Sequence, residues 1–307
     1  MRRRKGLPIH GWLILDKPAG LTSTRAVSRV KRALNANKAG HAGTLDPLAT
    51  GILPIALGEA TKTVPYVVDG KKGYRFTVRW GAETDTDDLE GKIINQSDNR
   101  PELSSIESVL DRFTGTISQV PPLFSAIKVQ GERAYDLARD GAQFELEARS
   151  VEIESLKITG VPDQDHCELE ALCGKGTYVR ALARDIGRCL GVYGHIVSLR
   201  RTQVGTFFEA DTISLDKLEE LSHSAGDQEE LMSLMKPVET ALDDIPALAI
   251  DTSDAMRLKR GQAILLRGRD APIIKGVVYA TSRGSLIALG EIQQGQLRPT
   301  RVFNLPG

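Results

Sequence analysis

The chain has 307 residues, 41% hydrophobic and 26% charged, which excludes collagen-like, low-complexity and wholly disordered chains and suits a large domain joined to a small one. Its net charge of zero hides an asymmetry: residues 1–80 carry 15 Lys/Arg against 4 Asp/Glu, residues 245–307 carry 9 against 4, and the stretch between carries 16 against 32. Cations gathered at both ends suit a polyanion, and a solvated surface with charges placed by chance reads equally well at this stage. Cys167, Cys173 and Cys189 form no CxxC pair and are odd in number, so they read as free thiols of a reducing cytosol, with neither a zinc site nor a disulfide framework. The basic residues 2–5 precede an apolar run of only four residues, 12–15, closed by Asp16, so no signal peptide or membrane span is expected.

Along the chain, residues 11–16 read as a short strand and 17–20 as its turn. Thr22 or Ser23 caps a helix to about Leu34, with Ala26, Val27, Val30 and Leu34 at helical spacing. Residues 36–50 contain Gly40, Gly43 and Pro47 without periodicity and read as a loop. Residues 52–57 read as a buried strand and 59–68 as a helix. Tyr74, Phe76, Val78 and Trp80 alternate with Arg75, Thr77 and Arg79, the period of a half-buried strand. The acidic stretch 85–91 reads as an exposed loop.

Helices are expected at 105–114, 132–139 and 177–190, and strands near 117–120, 125–130, 151–159, 166–173 and 195–209. This order lacks a regular βαβ beat, so the fold class is α+β with a mixed or antiparallel sheet. Residues 211–244 read as helical and polar, and Pro237 and Pro246 mark a linker dividing 1–244 from 245–307. After Ile250, glycines at 261, 268, 276, 284, 290 and 295 punctuate short strands, the pattern of a small β-barrel.

The densest loop is Gly40-His41-Ala42-Gly43-Thr44-Leu45-Asp46-Pro47-Leu48-Ala49-Thr50-Gly51. Its glycines permit unusual dihedrals or close backbone approach, and Pro47 biases Asp46 toward an extended conformation. The loop can therefore fix one carboxylate at the rim of a cleft; taken alone, Asp46 can equally cap a turn.

This loop resembles the catalytic motif of bacterial tRNA pseudouridine synthases of the TruB type. Further stretches are similar to that family in the same order: Gly11-Trp12-Leu13-Ile14-Leu15-Asp16-Lys17-Pro18, Lys72-Gly73-Tyr74-Arg75-Phe76, Pro122 to Lys128, Gly174 to Arg180, and Ser198-Leu199-Arg200-Arg201. Tyr193-Gly194-His195 departs from it, since the family more often has Ala before the His.

The resemblance implies a pseudouridine synthase catalytic domain over 1–244 and a PUA-like RNA-binding β-barrel over 245–307, the latter docking on tRNA with Arg257, Lys259, Arg260, Arg267 and Arg269. It implies isomerisation of uridine 55 in the tRNA T-loop by a cytoplasmic monomer, with the T-arm stem-loop as partner and no cofactor, metal or membrane. Asp46 would be the catalytic carboxylate and Arg180 its cationic partner. Tyr74 would stack on the target base, and its hydroxyl would join the proton transfers. His41 would hold the nucleotide out of its stack, and Tyr178 and Leu199 would wall the pocket. Arg25, Arg29, Lys31, Arg32, Lys38, Arg200 and Arg201 are candidate phosphate contacts. The rival readings are a synthase for another RNA or several sites, and an RNA-binding or tRNA-folding chaperone without turnover. An Asp-nucleophile hydrolase would need a second carboxylate or a metal cluster that the sequence does not offer at recognisable spacing.

Overall fold

Trp12 and Ile14 face one side of strand β1 (Gly11–Lys17) and Leu13 and Leu15 the other, and all four are at most 1% exposed. A strand buried on both faces must be central, and the alternation assigns each residue to a different core. The computed structural model describes residues 6–125, 127–129, 131–142, 144–223, 228–266 and 275–306.

After β1, helix α1 (Ser23–Ala33) leads to β2 (Ala39–His41), β3 (Thr50–Leu57), α2 (Val64–Asp69) and β4 (Lys72–Trp80). A ribbon of β5 (Ala82–Thr84) and β6 (Ile93–Gln96) precedes α3 (Leu103–Leu110) and β7 (Gly115–Gln119). Then come β8 (Lys128–Val129), β9 (Glu132–Arg133), α4 (Ala134–Arg139), β10 (Arg149–Asp163), β11 (His166–Cys173), α5 (Val179–Cys189) and β12 (Gly194–Val204). Short strands β13 (Phe207–Phe208) and β14 (Ile213–Ser214) and helices α6 (Leu215–His223) and α7 (Gln228–Ser233) close this part. The remainder holds β15 (Ala247–Ala249), α8 (Thr252–Lys259), β16 (Ile264–Leu265), β17 (Gly276–Ser282), β18 (Ser285–Gln293) and β19 (Gln296–Val302).

The large sheet runs β14-β1-β3-β12-β4-β11-β10-β7, with β2 paired to β3 and β13 to β12. The β1–β14 and β3–β12 pairs are parallel and the others antiparallel, so the sheet is mixed, as expected. One face carries Leu13, Leu15, Leu53 and Ile55 against Val30 of α1, Leu182 and Ile186 of α5 and Leu218 of α6. The opposite face carries Trp12, Ile14 and Ile52 against Phe207 and, from the C-terminal part, Leu286, Leu289 and Phe303. That C-terminal part is a curled five-stranded sheet ordered β15-β17-β18-β19-β16, the PUA-like architecture expected. Lys62 Nζ donates to the Val302 carbonyl at 2.6 Å and the Asn304 amide donates to Glu59 at 2.8 Å, tying it to the large sheet.

Several expectations need correction. Ala39–His41 is a strand, because the sheet supplies at β3 the pairing that a three-residue segment cannot advertise by periodicity. The helix expected at 59–68 breaks at Thr63 into a 3-10 turn and α2, with Pro65 in the first turn of α2. The strand expected at 195–209 turns back at Gly205 (φ +54), and β13 pairs with its own end. Residues 252–259 form a helix capped by Asp251, whose side chain accepts from the Asp254 amide, so Arg257 and Lys259 lie on α8 rather than on strands. Arg267, Arg269 and Gly268 lie outside the described residues, as does Ala126 of the 122–128 stretch. The acidic stretch 85–91 is not simply exposed: Asp87 and Asp88 are only 4% and 3% exposed. Burying carboxylates requires cationic partners, and α5 provides them.

Candidate active site

The loop bearing Asp46 is fastened from three sides. Ser23, the first residue of α1, donates its hydroxyl to the Leu45 carbonyl and accepts from the Leu45 amide, both at 2.9 Å. Thr22 caps the same helix by accepting from the Arg25 amide, so the helix start and the loop are fixed together. The Gly20 amide donates to the Pro47 carbonyl at 2.8 Å, and the Ala42 amide to that of Pro54 at 2.9 Å.

Two buried cations finish the scaffold. Lys17, fully enclosed at the end of β1, donates to the carbonyls of Pro18 and Leu21 at 2.8 Å and of Pro47 at 3.1 Å. Burial pulls its amine down to about 8, with Asp46 opposing and Arg201 reinforcing the fall. Arg201, 1% exposed on β12, donates to the carbonyls of Ile52 at 2.8 Å and of Thr44 and Gly43 at 3.2 Å. Gly51 lies so close to this strand that a Cβ would stand 2.2 Å from the Arg201 carbonyl oxygen, and its φ of +96° also demands glycine.

Asp46 itself remains partly open, with its side chain 34% exposed, while Arg180 beside it is 5% exposed. Arg180 Nε donates to Asp46 Oδ2 at 2.9 Å, Nη1 to the Thr86 carbonyl at 2.7 Å and Nη2 to that of Phe124 at 3.0 Å. Nη1 also lies 3.5 Å from Asp88 Oδ2. Burial works against the Arg180 charge, but Asp46, Asp88 and Asp87 outweigh it and hold the guanidinium above its ordinary value. Among the described residues, Asp46 Oδ1 takes no hydrogen bond and stays available to a reactant.

Tyr74 stands opposite Arg201 in the β4–β12 ladder, and Phe76 opposite Leu199, which puts all four on one face next to the Asp46 loop. Tyr74 is half-buried; desolvation pushes its phenol up, and Arg201 opposes this. Tyr178 precedes α5, its phenol likewise pushed up by burial. The side-chain amide of Gln119, itself buried, grips the Tyr178 backbone from both sides: it accepts from the amide at 2.9 Å and donates to the carbonyl at 3.1 Å. Leu199 is 5% exposed and belongs to the main core. His41 is half-buried on β2 with Nδ1 lacking a partner among the described residues, and burial pulls its imidazole down, Arg201 adding to the fall. Arg180 thus bonds Asp46 directly, the Asp46 charge reaches the phenols of both Tyr74 and Tyr178, and Leu199 lies in the core opposite Phe76.

The phosphate-contact candidates divide. Arg201 is internal, and Arg200 is taken by Asp16, bidentate at 3.0 Å, and by Glu209 at 2.5 Å; neither is free for a polyanion. Arg29 is paired with Glu219. Arg25, Lys31, Arg32 and Lys38 are exposed and, among the described residues, make no ion pair. Sequence reasoning missed Lys17, Gln119, Asp87 and Asp88. The first sat in a quoted motif, and the last two were legible only as charge.

The amino-terminal part of the chain, residues 31–179, matches the TruB family pseudouridylate synthase N-terminal domain. Residues 180–243 match the tRNA pseudouridylate synthase B C-terminal domain, and 246–303 the pseudouridine synthase II TruB C-terminal model. Proteins named tRNA pseudouridine synthase B from Bradyrhizobium diazoefficiens and Caulobacter sp. strain K31 are 61% and 56% identical to it, over 99% of this chain and 89% and 99% of theirs. A chain in the crystal structure of a Cbf5-Nop10-Gar1 complex superposes with a TM-score of 0.74 at 26% identity, covering 96% of this chain and 84% of that one. At these identities over nearly its whole length, the chain belongs to the TruB family of pseudouridylate synthases, enzymes that isomerise uridine.

Proposed function

We propose that this enzyme isomerises uridine 55 in the T-loop of tRNA and that Asp46 is its nucleophile. The observation that carries the reading is a carboxylate oriented through one oxygen by a buried Arg180 and left open at the other. Conversion of uridine to pseudouridine breaks N1–C1′, turns the base and joins C5 to C1′, with a proton lost from C5, one gained at N1 and no net redox change. An ionised carboxylate serves either by adding to C6 of the ring or by attacking C1′ as the base departs, and the same group or a neighbour then accepts the proton from C5.

A stacked uracil must be turned out of the RNA at a cost of a few kcal/mol. Stacking on Tyr74 returns about 1–3 kcal/mol, and the exposed Arg25, Lys31, Arg32 and Lys38 near the same loop supply salt-dependent phosphate attraction. Nδ1 of His41, without a partner among the described residues, suits an RNA contact beside the extruded nucleotide. The exposed Arg257, Lys259 and Arg260 fit a tRNA-docking role for residues 245–307, with 1–244 as the catalytic domain. The relatives' name supports tRNA as substrate. The test is tritium release from tRNA transcripts labelled at uridine C5: release is expected from wild-type transcript and not from one with the T-loop uridine replaced. Equal release from both would refute the site assignment.

A further inference from the structure

Helix α5 carries arginines at 180, 184 and 188, one turn apart on one face. Each meets a carboxylate of residues 83–88. Arg180 faces Asp88, Arg184 Nη1 donates to Asp87 Oδ2 at 3.0 Å, and Arg188 donates to both oxygens of the buried Glu83 at 2.8 and 2.6 Å. The middle pair is enclosed on both sides, Arg184 being 7% and Asp87 4% exposed. Arg184 also donates from Nη2 to the Val120 carbonyl at 2.7 Å and from Nε to Asp185 at 2.8 Å. Arg180 repeats the pattern one turn earlier, on the carbonyls of Thr86 and Phe124. Both arginines therefore tie the same two segments, 84–88 and 120–125, to one helix. A buried ion pair is weak evidence for stability as such, since apolar side chains fill such space as well. Its placement here is what carries information.

We propose that Arg184 and Asp87 are positioning residues for the isomerisation, fixing the two segments whose carbonyls aim Arg180 at Asp46. The inference rests on the reading of Asp46 as the reacting carboxylate. Around Asp87 stand Arg184, Arg180, Asp185 and Arg188 of α5, Glu83 of β5 and the adjacent Asp88, which His195 of β12 faces in turn. Burial pushes the Asp87 carboxyl up to about 6 against the pull of the two arginines, Glu83 and Asp185 adding to the rise. The clamp is thus intact at neutral pH and loses its negative member as pH falls through about 6.

The experiment is single-turnover tritium release from C5-labelled tRNA with saturating enzyme, alongside RNA affinity and thermal melting. The variants are Asp87→Asn, Arg184→Gln, Arg184→Lys and the double variant Asp87→Asn with Arg184→Gln. Misplacing a reacting group by a fraction of an ångström slows the step without touching affinity, so Asp87→Asn and Arg184→Gln should each lose about tenfold or more in rate. RNA affinity should stay within about twofold, Arg184→Lys should recover part of the rate, and the double variant should be no slower than the worse single one. The acid limb near pH 6 should vanish in Asp87→Asn. Wild-type rates in folded Asp87→Asn and Arg184→Lys, or losses that only follow melting or RNA affinity, would overturn the proposal. Asp46→Asn in the same assay separates the two levels: turnover there refutes the underlying reading, whereas an inert Asp46→Asn beside fully active clamp variants refutes only this inference.

Discussion

Arg180 touches Asp46 with one nitrogen and backbone carbonyls with the other two, so the guanidinium is held by the fold and the carboxylate is held by the guanidinium. A lysine cannot reproduce three diverging donors in one plane. Arg180→Lys should therefore keep most RNA affinity while single-turnover isomerisation falls by about 10²-fold. Arg180→Met should in addition lose about 3–5 kcal/mol in denaturant unfolding, because Asp88 is left buried without its partner.

Arg201 provides a test of the internal reading against the surface one. Arg201→Met strips donors from the carbonyls of Gly43, Thr44 and Ile52 and should cost about 2–4 kcal/mol of stability. The slope of log affinity against log salt should stay unchanged, because no phosphate contact is lost. Neutralising Arg25 or Arg32 should do the reverse, lowering that slope by about one each with stability intact.

Lys17 gives a pH dependence with a definite sign. Its amine is pulled down to about 8 by burial, against 10.5 for a free lysine. Between those values the unfolded chain binds more protons than the folded one, so this residue makes the fold gain stability as pH rises from about 8 toward 10. Activity should move the opposite way, falling above about pH 8 as the cation beneath the Asp46 loop discharges. Melting and turnover across pH 7–10, wild type against Lys17→Met, check both; a variant with the same melting slope as wild type would exclude the assignment.

Tyr74 separates ring from hydroxyl. Tyr74→Phe keeps the stacking surface and should retain RNA affinity with slowed turnover, while Tyr74→Leu should also lose about 1–3 kcal/mol of base stacking. Wild-type turnover in both variants would remove Tyr74 from the site.

Much of the scaffold was legible because its signals are local. The alternation through Trp80, the Thr22 cap and the glycine-rich loop each declare their structure within a few residues, and family resemblance singled out Asp46 and Arg180, which the structure pairs at 2.9 Å. What escaped depends on partners distant in sequence. Arg201 reads as a surface cation until β3 and β12 bring carbonyls of residues 43, 44 and 52 around it. Asp87 and Asp88 read as solvated acids until α5 lays arginines over them about a hundred residues later. Ala39–His41 becomes a strand only because β3 offers it an edge. Charge patterns give composition, and tertiary pairing decides which charges meet water.

Asp46→Asn, a near-isosteric change at a partly open side chain, is the most direct test of the nucleophile. Purified to homogeneity, with melting and RNA affinity close to wild type, the variant should release no tritium above background from C5-labelled tRNA, even with enzyme in excess over long incubation. Sustained release at a substantial fraction of the wild-type rate would contradict the assignment of the nucleophile.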